Sequence, residues 1–179
     1  MLTQAGVEFR VISPDFDEAP IKRAHIGDGA SLAKLLAEGK AWSVPTNRGD
    51  WVIGSDSVVS VDGEIFSKPR DRAEAADHLA QFSGRTMLLS SAVALTIDGQ
   101  LDWSHADTAR LSVRPLGDSF IAAYLDAEWP AIAHCAGAFR MEGRGATLFS
   151  AVDGSHFTIL GMPLLPLLGA LRDRAVLPA

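Results

Sequence analysis

Between Ser31 and Trp42 the chain reads SLAKLLAEGKAW, with Leu32, Leu35, Leu36 and Gly39 at helical spacing. The pattern predicts a helix over about 31–42, with Ser31 capping its start. It also sets Lys40 on the apolar face of that helix. Alternation takes over elsewhere. VEFRVI (Val7–Ile12) alternates apolar and polar residues and is predicted as a strand. The stretch from Trp51 to Val61 is richer still in β-branched residues, with Val52, Ile53, Val58, Val59 and Val61. It predicts a strand, followed by a turn at Asp62-Gly63 and a short strand at Ile65-Phe66.

DRAEAADHLAQFSG carries a complete set of helix signals. Asp71 stands at the N-cap, Glu74 completes a capping box, Ala and Leu share one face, and Gly84 follows the end. The run from Arg85 to Leu116 predicts two long strands joined at Asp98-Gly99. GDSFIAAYLDAEW predicts a short helix capped by Asp118, EGRGATLFSAVDGS a loop and a strand, and MPLLPLLGALRDR a terminal helix opening at Pro163. Strands and helices are intermixed and hairpins are present. The expected class is α/β with a mixed sheet rather than a purely parallel one.

At 179 residues one domain is expected, with room for two lobes. A composition 47% hydrophobic and 21% charged fits a folded chain with a sizeable core. The net charge of -6 argues against a nucleic-acid polymer as partner, though not against a small phosphorylated ligand in a local basic pocket. Cys135 is the single cysteine, which excludes an internal disulfide. The first residues lack the basic start and apolar core of a signal peptide, and no apolar run is long enough to span a bilayer. No membrane association is expected, the cytoplasm is the expected compartment, and a homodimer stays open.

Candidate chemistry starts at Asp56, an acid in the middle of the most apolar strand. A buried carboxylate is costly unless paired, hydrogen-bonded or metal-bound. Gly54, two residues before it, admits a close approach by a ligand or another backbone. Asp56 therefore reads as a divalent-metal ligand or general base, against a carboxylate that faces solvent or caps a turn. Lys68 is held extended by Pro69 and can meet phosphate as a point charge, against an ordinary surface lysine. Lys40 either snorkels to the edge of its apolar face or reaches an anion. Asp17 and Glu18 follow a strand pattern, where acids are usually solvated or cap turns. Glu142 sits beside Gly143 and Gly145 in a loop suited to close approach. The five histidines have no zinc-like spacing, and no G-x-S-x-G elbow, Walker A loop or dinucleotide fingerprint occurs.

Taken in order, AGVEFRVISPDFDE, Lys40-Ala41, VIGSDSVVSVDGEIFSKP, HLAQFSGR, AGAFRMEGRGATLF and DGSHFTILGMPLLPLL resemble the Maf family of nucleoside triphosphate pyrophosphatases, from about Leu2 to the C-terminus. The resemblance implies a mixed α/β fold with an elongated sheet flanked by helices. It also implies two lobes with a central cleft, similar in architecture to the inosine triphosphatases. It implies hydrolysis of a nucleotide substrate between its α- and β-phosphates, to the monophosphate and pyrophosphate. Asp56 matches the family's catalytic acid, as general base or metal ligand, and Lys40, Lys68, Glu18 and Glu142 match polar site positions. Asp56 and Glu18 are the implied ligands of a divalent cation, magnesium in the first place.

Two departures stand out. The family normally opens with a strand and an S-x-S-x-R-R loop, which this chain, starting at Met1, is expected to lack. AHCAGAFRMEG also lacks the Asp-Lys pair of the dTTP/UTP branch and resembles instead the branch acting on 7-methyl-GTP or uncharacterised Maf-like relatives. The rival expectation is a catalytically weak or inactive nucleotide-binding protein that kept the scaffold.

Overall fold

A computed structural model describes residues 1–178. Two helices open the fold, the short α1 (Ala19–Ala24) and the longer α2 (Gly29–Trp42). Strands β1 (Trp51–Val61) and β2 (Glu64–Phe66) follow, then α3 (Arg72–Phe82), β3 (Thr86–Ile97) and β4 (Gln100–Val113). The chain ends with α4 (Asp118–Glu128), β5 (Phe149–Asp153), α5 (His156–Ile159) and α6 (Leu164–Asp173). The five strands make one sheet in the order β2-β1-β3-β4-β5. The ladders of β1 with β2 and of β4 with β5 are antiparallel. Both Asp-Gly turns fall where expected. Asp62 and Gly63 have φ of 51° and 85°, and Asp98 and Gly99 have 50° and 74°, the positive pairs that tight hairpins require. The α/β class with helices flanking a sheet is as expected.

The chain divides into two compact units, each built from separated segments. The first comprises Met1–Ser57, Ser90–Thr108 and Ser155–Ala179, and the second Val58–Leu89 and Ala109–Gly154. In the first, Val93 and Leu95 of β3 pack with Leu167, Ala170 and Leu171 of α6, and Trp51, Ile53 and Trp103 close around them. In the second, α3 packs with α4, and Phe66 meets Phe82 edge to face at 4.7 Å.

Several local expectations need correction. Val7–Ile12 is not a strand. Phe9 is 49% and Val11 85% exposed, so their alternation has no sheet face to bury and no ladder to join. The first long helix starts at Gly29, and its cap is Asp28, whose carboxylate accepts from the Ser31 backbone N–H at 2.8 Å. Leu35, placed on the apolar face by spacing, is exposed. Asp71 caps α3 as expected, but Glu74 reaches back to the N–H of Arg70 rather than that of Asp71. Asp118 lies in the first turn of α4, whose N-cap is Gly117. Pro163 is the N-cap of α6. Neither α1 nor α5 is foreseen by periodicity, both being too short to show it.

Candidate active site

Gly54 explains why Asp56 has the surroundings it has. A Cβ at Gly54 would lie 2.2 Å from the Ala37 carbonyl oxygen and 2.7 Å from the Ala41 nitrogen. The close approach anticipated at this glycine is therefore that of a backbone, the body of α2. With strand and helix this close, Lys40 on the last turn of α2 reaches Asp56, and its Nζ donates a short hydrogen bond to Oδ1. Gly39, the neighbour of Lys40, permits a second close approach. The Phe16 ring occupies the space where its side chain would be, within 2.2 Å of a Cβ there. This contact seats the 14–18 segment on α2 and delivers Glu18 to Lys40, with Oε1 2.8 Å from Nζ.

A residue that sequence reasoning missed completes the group. Lys22 on α1 places its Nζ 2.6 Å from Glu18 Oε2. Glu18 thus holds one ammonium on each oxygen, and Lys40 is shared between two carboxylates. The available signal was the separation from Glu18 to Lys22, one helical turn, just after Pro20. Asp17, as its type suggests, caps the turn into α1 by accepting from the Ala19 N–H at 3.0 Å.

Exposure falls from Glu18 at 29% through Lys40 at 21% to Asp56 at 14% of the side chain. The two acids respond differently. Burial raises the Asp56 carboxyl; the hydrogen bond and charge of Lys40 offset only some of this, and it stands above its ordinary value. Burial also opposes ionisation of Glu18, but the bonds and charges of Lys22 and Lys40 outweigh it and hold the carboxyl at about 2. Burial pushes the Lys40 ammonium down, yet Asp56 and Glu18 together leave it above its ordinary value. Adjacent carboxyls pushed in opposite directions form an arrangement suited to acid–base work.

The donor set also bears on a metal. Among the described residues no group of three or more His, Cys, Asp or Glu could hold an ion. Two convergent carboxylates on a shared cation offer hard oxygen donors. They suit an ion that keeps several water or phosphate ligands, which is magnesium's habit rather than zinc's.

Lys68 and Glu142 belong to the second unit, and both are exposed. They are not among the partners of the Asp56 group. Within their own unit both act on Cys135. Burial pushes its thiol up, Arg140 and Lys68 draw it down, and Glu142 adds to the rise. The loop that carries Glu142 is tightly folded at Gly145, where a Cβ would lie 2.4 Å from the Arg140 carbonyl oxygen.

Comparison with known proteins finds relatives that match nearly the whole chain. The nucleoside triphosphate pyrophosphatase of Gluconobacter oxydans (strain 621H) is 40% identical over 184 residues, covering 100% of this chain and 91% of that protein. The 7-methyl-GTP pyrophosphatase of Rhizobium meliloti (strain 1021) is 39% identical over 183 residues, covering 100% and 92%. That of Brucella suis biovar 1 (strain 1330) is 42% identical over 176 residues, covering 96% and 88%. A family model described as Maf-like protein matches residues 1–174, and the chain belongs to the Maf family.

Proposed function

We propose that this chain is a nucleoside triphosphate pyrophosphatase, cleaving the bridge between the α- and β-phosphates to give a nucleoside monophosphate and pyrophosphate. The observation that carries the reading is the convergence of Glu18 and Asp56 on Lys40 in a chain of this family. In the proposed mechanism Asp56 is the general base. Its raised carboxyl accepts a proton from the attacking water more readily than the strongly acidic Glu18 does. Lys40 orients Asp56 through its hydrogen bond and supplies positive charge where phosphate oxygens gain negative charge. Phosphoryl chemistry of this kind depends on charge placement more than on covalent intermediates.

The proposed cofactor is magnesium, held by Asp56 and Glu18, and when bound it neutralises charge on the phosphates. Lys68 and Glu142 enter the proposal through the resemblance, as substrate-contacting positions. 7-Methyl-GTP is the finer substrate proposal, resting on the HCAG and MEG pattern around Cys135 and Glu142 and on relatives that bear that activity's name. The cytoplasm is the proposed compartment, on the strength of the lone cysteine. No helix among the described residues is long and apolar enough to cross a membrane.

The test is Asp56→Asn, which keeps the shape and removes the base. With a panel of triphosphates including 7-methyl-GTP, pyrophosphate release should fall by about 10²–10⁴-fold. Retention of most of the wild-type turnover would refute the role.

A further inference from the structure

Asp56 is flanked in sequence by two serines, and strand alternation turns them to the face away from α2. On that face Ser55 Oγ lies 2.8 Å from the Ala92 carbonyl oxygen and 2.9 Å from that of Gly161. Ser57 Oγ lies 2.7 Å from Ser91 Oγ and 3.3 Å from the same Gly161 carbonyl. The protons can be assigned. Ser91 Oγ donates to the Thr158 carbonyl at 2.7 Å, so its proton is committed and Ser57 is the donor to Ser91. Thr158 in turn donates its hydroxyl proton to Asp107. Ser91 and Thr158 are fully buried, so these bonds are made away from competing water. The turn that receives them is built around Gly161, whose φ of 103° favours glycine.

We infer that Ser55 and Ser57 are positioning residues for Asp56, and that the Thr158–Gly161 segment is the anchor they reach, Ser55 directly and Ser57 through Ser91. The strand is gripped on one face by α2, through Gly54 and Lys40, and on the other by Ser55, which donates towards the Gly161 carbonyl, and by Ser57, which donates to Ser91 and through it reaches the Thr158 carbonyl. Positions on either side of the acid set its height and rotation relative to Lys40 and Glu18. Neither serine touches the carboxylate group, so each acts through the backbone. Bond-making groups tolerate displacement poorly, and a shift of about 1 Å can cost about a hundredfold in rate.

The inference rests on Asp56 being the base, and the test separates the two claims. Ser55→Ala/Ser57→Ala, Ser57→Thr and Asp56→Asn are assayed together for pyrophosphate release from a triphosphate with magnesium, with thermal midpoints for all. The double variant should lose about tenfold in kcat with KM within about twofold, because substrate contacts are untouched. Ser57→Thr keeps the hydroxyl on a β-branched residue suited to a strand and should retain near wild-type kcat. If the double variant keeps its kcat while Asp56→Asn loses it, positioning is overturned and the base assignment stands. If Asp56→Asn keeps its activity, the base assignment falls and the proposal with it. A fall in Ser57→Thr as deep as in the alanine variant also overturns the proposal. Should the double variant not fold, Ser91→Ala removes the acceptor facing Ser57 together with its link to the Thr158 carbonyl and leaves both strand serines in place. It should lower kcat several-fold at constant KM, and an unchanged kcat would overturn the proposal.

Discussion

Gly54→Ala adds one methyl group at the tightest contact of the candidate site. Its Cβ would meet the Ala37 carbonyl oxygen at 2.2 Å, the Ala41 nitrogen at 2.7 Å and the Ala41 Cβ at 2.8 Å. Two of these are backbone atoms in the body of α2, so no flexible side chain can swing aside. Ordinary contact begins at 3.4 Å, and reaching it takes roughly 1 Å of separation between β1 and α2, an overpacking that costs about 3 kcal/mol, the upper end of the usual range. At about 2–4 °C per kcal/mol for a chain of this size, the thermal midpoint should drop by roughly 6–12 °C. The separation falls between the elements that carry Asp56 and Lys40, so turnover should drop by about a hundredfold. Differential scanning fluorimetry gives the first quantity. Pyrophosphate release, coupled to an inorganic pyrophosphatase and phosphate detection, gives the second. A variant with wild-type midpoint and turnover would refute the argument that a missing side chain at Gly54 sets the spacing of the site.

Four further outcomes are expected. Lys40→Met leaves Glu18 and Asp56 without their shared cation; it should abolish turnover and destabilise by about 2–3 kcal/mol in denaturant titrations, less than a fully buried pair would lose. The ionised Glu18 contributes stability above its ordinary value of 4.5, and this is lost as pH falls through about 2. The stability gap between wild type and Glu18→Gln, read from thermal midpoints, should therefore close between those two values. Excess chelator should remove turnover, and added magnesium should restore it better than zinc. Gly169→Ala lies inside α6 with nothing near its Cβ, and should stabilise by about 0.5–1 kcal/mol in the same titrations.

The sequence pattern revealed the elements whose signals are local. Asp98-Gly99 and Asp62-Gly63 announced their hairpins because both residue types accept positive φ. Asp71 opened α3 through capping chemistry, and Gly84 marked its end, one residue past the Ser83 cap. Asp56 stood out because an acid in so apolar a strand demands a partner, and Lys40 because it sat on an apolar helix face. What escaped was non-local or too short. The Ser55 hydroxyl finds an acceptor 106 residues downstream and the Ser57 hydroxyl one 34 residues downstream, pairings that no spacing rule encodes. Lys22 lies on a helix of six residues, too brief for a hydrophobic period. Val7–Ile12 misled for the opposite reason, since its alternation is real but no ladder takes it up. Glu18 looked like a solvated loop acid until the Phe16 ring on Gly39 fixed where the loop runs.

The order of the segments has a consequence for how the protein is made. All of the second unit has been synthesised once Gly154 is added, whereas the first waits for the segment that starts at Ser155. Until α6 exists, Val93 and Leu95, both fully buried in the finished fold, lack the Leu167 and Leu171 that cover them. The nascent chain therefore carries an exposed apolar strand face from the completion of β3 until α6 is made, the kind of surface that recruits chaperones or seeds aggregation. The strand that carries Asp56 shares this delay, because the Gly161 carbonyl that Ser55 bonds and the Thr158 carbonyl that Ser91 bonds belong to the same late segment. A ribosome stalled before Ser155 would hold a chain with its acid, lysines and serines all present and no anchor to set them.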